Sequence, residues 1–184
     1  MATYVNSGYA LDFSETDIKA YKVKVNSKAV ATLTPVNQVP AGTPVLLVYD
    51  GGKTEDIPII ASAAAVSGND LVAGTGAEVA TVDGDYTNMI LNNVDGNIGF
   101  YFAAGQTVAT NRAYLHILTS LAPEKESTEA RPMNLVFEDM TGINTVKGEE
   151  FMVNGSETYN LQGQRVAQPA KGLYIINGKK VMVK

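Results

Sequence analysis

Cysteine and tryptophan are absent from the 184 residues, and histidine occurs once. Without cysteine there are no disulfides, no thiolate metal sites and no cysteine nucleophile. A single histidine rules out a catalytic zinc site built on several imidazoles. Charged residues make up only 18% of the chain, below the roughly 25% usual for folded domains. Asn, Thr, Ser and Gln supply much of the polar surface instead. The net charge is −5 and the isoelectric point about 4.9. The basic residues form nothing longer than short pairs such as Lys179-Lys180, and a nucleic-acid partner, which needs clustered cations to displace counterions, is not expected. No run of 18 apolar residues occurs, so no membrane span is expected. Met1-Ala2-Thr3-Tyr4 has neither a charged leader nor an apolar stretch of signal-peptide type. These residues read as the inside of a fold, with Met1 as an imposed start and upstream sequence cut away.

What is present is alternation. Ala20 to Val25 and Ala29 to Thr34 alternate small or apolar residues with polar ones, the pattern of half-buried strands. Pro44 to Tyr49 is a continuous apolar run, suited to a strand covered on both faces. It is bounded by Pro-Ala-Gly-Thr-Pro and Asp-Gly-Gly, both turn-forming. Asp56–Ile60, Glu78–Val82, Tyr86–Leu91, Gly99–Ala103, Ala113–Leu118 and Asn134–Phe137 follow as further short strands. Helical signals are confined to single turns near Ser14–Ile18 and Ala61–Val66. Residues 122–132 are polar and charged and read as an exposed loop. The expectation is an all-β chain: an antiparallel β-sandwich or barrel-like domain over residues 1–138, followed by a short C-terminal β-hairpin module over 139–184.

The tail is dense in hairpin signals. Asn154-Gly155 and Asn177-Gly178 suit the two left-handed positions of a type I′ turn. Tyr159-Asn160-Leu161-Gln162-Gly163-Gln164-Arg165-Val166, a spacer containing Pro169, and Lys171-Gly172-Leu173-Tyr174-Ile175-Ile176 through Val181 form an ordered motif. Residues 141–184, from Thr141-Gly142-Ile143 onward, are similar to the type IX secretion sorting modules that end many exported Bacteroidetes proteins. The tail is shorter than a full sorting domain. Val39 to Leu47 and Arg112 to Leu115 resemble, more weakly, the β domains of adhesin-type, BspA-like surface proteins. These resemblances imply a secreted or cell-surface protein that meets secretion machinery or a surface anchor through 141–184. Host or glycan surface ligands are the partners they suggest. They bring no catalytic residues and no cofactor, and no enzymatic activity is expected.

Several constellations could still carry chemistry or bind a ligand. His116 could act as a general base for a serine, but no Gly-x-Ser-x-Gly elbow accompanies it. Alternation places it with Tyr114 and Leu118 on the polar face of a strand, opposite Leu115 and Ile117. Asp83, Asp85, Asp95, Glu138 and Asp139 could supply a carboxylate pair for glycoside hydrolysis, but Asp83-Gly84-Asp85 and Asp95-Gly96 are explained by turn geometry. Neither segment carries the alternating oxygen ligands and distal glutamate of a calcium loop, and no metal is expected. Val72 to Ala77 is glycine-rich without the Lys-Ser/Thr of a phosphate cradle. Asn154-Gly155-Ser156 matches a glycosylation sequon, though a hairpin tip accounts for it equally. Among nine Tyr and five Phe, Tyr86, Tyr101 and Tyr114 are the candidate ligand-binding platforms, with packing at the sheet rim and the hydroxyl in water the favoured alternative, and Phe100 and Phe102 are expected in the core.

Overall fold

In the computed structural model, residues 1–49, 55–124 and 132–138 are described in full, together with the backbones of residues 158–159, 172–176 and 179–183. The strands in chain order are β1 (Ala2–Tyr4), β2 (Ala10–Asp12), β3 (Lys19–Ser27), β4 (Val30–Pro35), β5 (Gln38–Val39) and β6 (Val45–Val48). They continue with β7 (Ile59–Ile60), β8 (Leu71–Ala73), β9 (Glu78–Val79), β10 (Val82–Asp83), β11 (Tyr86–Val94) and β12 (Asn97–Phe102). The remainder are β13 (Gln106–Thr107), β14 (Ala113–Leu118), β15 (Asn134–Phe137), β16 (Thr158–Tyr159), β17 (Gly172–Ile176) and β18 (Lys179–Val183). Among the described residues the one helical element is a 3-10 turn at Thr119–Leu121. The chain is all-β, in two compact units, Met1–Val146 and Lys147–Lys184. No helix among the described residues is long and apolar enough to cross a membrane.

The first unit is organised by the parity of β3. Its odd residues Tyr21, Val23 and Val25 face one core, and its even residue Ala20 faces another. The first sheet, in the order β1-β6-β3-β4-β15, is therefore covered on both sides. On one side lies the second sheet, β10-β11-β14-β8 with β12 paired to β11. The core between these two sheets holds Val23, Leu33, Leu46, Met89, Phe100 and Leu115, all fully buried. On the other side a small sheet, β5-β2-β7, encloses Leu11, Phe13, Ala20, Val39 and Val45. The apolar run of β6 follows directly: Leu46 enters the first core, while Val45 and Leu47 belong to the second. Each fully buried side chain of this kind is worth roughly 1.5–3 kcal/mol of transfer free energy.

Turn chemistry sets the hairpins. β11 and β12 are joined by Asp95 and Gly96 at φ 52° and 87°, the doubly left-handed geometry that favours Asp-Gly. β10 and β11 are joined by Gly84-Asp85, with the left-handed φ of 58° at Gly84 alone. Among the described residues of the first unit, pairing is antiparallel with one exception, β15, which runs parallel to β4. β15 is also anchored to the second sheet, because Met133 N–H donates to the Phe100 carbonyl (2.9 Å). Where β6 ends, side chains take over its role along β3. Asn69 Oδ1 accepts from Val23 N–H (3.1 Å) and Asp70 Oδ2 from Val25 N–H (2.8 Å). The expected turns near Ser14–Ile18 and Ala61–Val66 are not helical. At the first, the Asp12 carboxylate accepts from both the backbone and the hydroxyl of Ser14, which favours a tight turn over a helix start.

In the second unit β17 lies between β16 and β18, and β17 pairs antiparallel with β18 from Gly172↔Val183 to Ile176↔Lys179. The sequon at Asn154, the motif over 160–171, the Asn177-Gly178 turn and Asp139 fall outside the described residues. So do the side-chain directions of Val181, Met182 and Val183.

Candidate functional site on the outer face of the second sheet

β11 and β14 pair antiparallel, with Tyr86 opposite Leu118 and Asn88 opposite His116. Their intervening residues Thr87, Leu115 and Ile117 turn into the core and are buried. Tyr86, Asn88, Tyr114, His116 and Leu118 consequently share the outward face. β8 extends this face, with Val72 opposite Tyr114. Tyr86, Val72 and Leu118 are 41%, 37% and 45% exposed.

The centre of the face is a stack. Tyr86 and His116 are diagonal neighbours across the strand pair, and their rings lie 4.3 Å apart and 12° from parallel. His116 is fixed from behind by Asn88, which is buried. Asn88 Nδ2 donates to the Ala80 carbonyl (3.0 Å), leaving Asn88 Oδ1 to face His116 Nδ1 at 2.7 Å. A carbonyl oxygen only accepts, so Nδ1 carries the proton and the neutral ring keeps its acceptor lone pair on Nε2. His116 N–H donates to the Asp70 carbonyl (3.0 Å), which holds the strand beneath it. The result is a pre-ordered surface group: a flat aromatic ring next to a defined hydrogen-bond acceptor. Alternation alone places His116, Tyr114 and Leu118 on this face; Asn88, the residue that sets the tautomer, carries no sequence signal.

Tyr101 is a correction. It lies opposite Ile90 on the β11–β12 ladder, yet only 5% of it is exposed, and its hydroxyl donates to the Asn97 carbonyl (2.9 Å). It is packed and satisfied, so it offers no ring face to a ligand. Phe100 is fully buried and Phe102 half-buried, in line with their placement toward the core. Tyr86 and Tyr114 remain on the surface, Tyr114 half-buried.

The carboxylates are dispersed. Asp83 ends β10 and Asp85 lies in the turn before β11, while Asp95 sits at the turn after it. The eight-residue rise between the ends of β11 puts these turns about 26 Å apart. Glu138 lies beyond β15 on the first sheet, where its Oε2 accepts from Thr34 Oγ1 (2.7 Å). The glycine-rich stretch after β8 is a loop whose amides are already used: Gly74 N–H donates to Arg112 and Gly76 N–H to Val108.

Two clefts were not legible in the sequence. One, of about 410 Å³, lies among β1, the middle of β11, β13 and the loop entering β14, with Arg112 on its wall. The other, of about 370 Å³, lies beside the small sheet, next to exposed Tyr9 and against Ile60. Both are assembled from segments far apart in the chain. No known family model, curated protein or solved structure matches this chain.

Proposed function

We propose that the chain is a non-catalytic β module of a secreted or cell-surface protein, with an adhesive or structural role. Residues 141–184 serve as its sorting or anchoring element. The observation that supports this reading is the outward face of the second sheet, where Val72, Tyr86 and Leu118 expose apolar surface around a rigidly held His116. The order of the tail motif supports the export element. A screen of glycan, ester and peptide substrates should give no turnover; clear turnover on any class overturns the non-catalytic reading. Residues 141–184 fused to an exported reporter, in a bacterium with type IX machinery, should carry it to the cell surface. Periplasmic retention overturns the sorting role.

The second reading is a glycan-binding module of a surface nutrient-capture system, and the Tyr86–His116 stack favours it. The exposed Tyr86 ring suits the apolar face of a sugar, and His116 Nε2 suits a hydroxyl donor beside it. On a glycan array the full chain should bind at least one ligand, and Tyr86→Ala should weaken it about tenfold, as truncating an aromatic anchor does. No binding at millimolar glycan removes this reading and leaves the first standing.

A further inference from the structure

The cleft beside β1 contains an arginine that forms no ion pair among the described residues. Arg112 follows the tight turn in which its own N–H donates to Ala109 O (2.9 Å), and its carbonyl accepts from Gly74 N–H (2.8 Å). The backbone is thus clamped on both sides. The side chain is aimed as well: Arg112 Nη1 donates to the Thr3 carbonyl (3.1 Å). Thr3 is itself buried, its Oγ1 accepting from Ala113 N–H (3.1 Å). A guanidinium has five N–H donors, of which this contact uses one. The ion pairs among the described residues are Lys24–Asp70 and Lys28–Glu124, and Arg112 belongs to neither.

The surroundings favour an anion with an apolar body. Among the described residues that line the cleft, Arg112 alone has a formally charged side chain, and Ile90, Leu91 and Val108 give apolar walls. The volume of about 410 Å³ lies within the roughly 300–1,000 Å³ of small-molecule sites. Arg112 is exposed to solvent and has no carboxylate partner among the described residues, so its remaining donors are open to a ligand's carboxylate. Its planar fork matches a carboxylate in two parallel hydrogen bonds.

We propose that this cleft binds a small monocarboxylate whose aliphatic or aromatic body lies against Ile90, Leu91 and Val108 while its carboxylate pairs with Arg112. The site is separate from the Tyr86–His116 face and does not depend on the function proposed for that face. The test is an NMR titration of the full ¹⁵N-labelled chain with hexanoate, and in parallel with hexanamide, its uncharged isostere. Hexanoate should shift the amides of Thr3, Leu91, Val108 and Arg112 saturably, and hexanamide should bind at least about tenfold more weakly, the loss expected for a charge-assisted pair. Arg112→Gln should bring the two ligands to equal affinity, and Arg112→Lys, which keeps the charge and loses the fork, should fall between. Equal binding of hexanoate and hexanamide to the unmodified chain overturns the proposal, as do shifts scattered away from the cleft. The ligand pair decides the matter even if Arg112→Gln fails to fold.

Discussion

Asp70 ties the segment entering β8 to two neighbouring residues of β3 through one side chain. Its Oδ1 pairs with Lys24 Nζ at 2.7 Å and its Oδ2 accepts from the N–H of buried Val25. Asp70→Ala strands that N–H away from water, and a buried donor without a partner costs about 1–3 kcal/mol. Urea unfolding should show a loss of about 2 kcal/mol for Asp70→Ala. Asp70→Asn, which can still accept from Val25, should lose about half as much; an unchanged midpoint for Asp70→Ala would show the contact to be idle. Asp12 makes a different kind of statement. The Ser14 hydroxyl and backbone N–H, and then Gln38, stabilise its charged form, and its pKa lies below the ordinary value of 3.8. A carboxyl depressed in the folded state contributes stability above its unfolded pKa, and that contribution disappears as pH falls through the folded value. Carbon-detected NMR titration should find Asp12 half-protonated below pH 3.8, and Ser14→Ala should move it upward. No movement in Ser14→Ala would remove Ser14 as the cause.

At the scale of elements, the strands of four or more residues described in the first unit were legible, and most of the shorter ones were not. β3, β4, β11, β12, β14 and β15 fall where alternation and turn chemistry put them, because each turns alternate residues into the core between the two large sheets and that sets a period of two. β1, β2, β5, β8 and β13 span two or three residues each, too few to display any period, and their pairing depends on distant partners. The same reason hid half of the candidate site. His116 and Tyr114 could be placed by parity, whereas Asn88, Arg112 and the cleft walls acquire their roles only through contacts across the fold. Tyr101 misled because parity tells which way a residue points, not whether something covers it. Close approach of elements yields its own prediction at the end of β8. A Cβ added to Gly74 would lie 2.3 Å from the Ala109 carbonyl oxygen and 2.6 Å from the Val108 oxygen. Backbone on the far side cannot step away as a flexible side chain can. Gly74→Ala should therefore cost about 3 kcal/mol, near the upper end of overpacking effects. Gly42→Ala, at an open turn with φ 78° and nothing within 4 Å, should show only the smaller backbone cost of about 1 kcal/mol. Equal thermal shifts for the two variants would refute the steric account.

For the first unit as a whole, the decisive pairing is the latest one. Thr34 and Glu138, which hydrogen-bond where β4 and β15 end, are 104 positions apart. β15 lies along β4, and the segment entering it bonds to Phe100 through Met133, so one stretch joins both large sheets. A fragment of residues 1–124 would expose the β4 edge and leave the Met133 site in the core empty, since Met133 is only 2% exposed. Such a fragment should lose cooperative unfolding by circular dichroism and self-associate in sedimentation, since bare edges pair with one another. A peptide of residues 132–138 added in excess should bind it and restore the transition. A fragment that melts as sharply as the full chain would show β15 to be ornamental.

The position of β15 also sets a clock. During synthesis, which proceeds from the N-terminus, everything through β14 can leave the ribosome while the first sheet still lacks its final member. The polypeptide must wait, sticky and incomplete, until residue 137 emerges. Anything that must act on it before it locks, such as a chaperone, has that interval in which to do so.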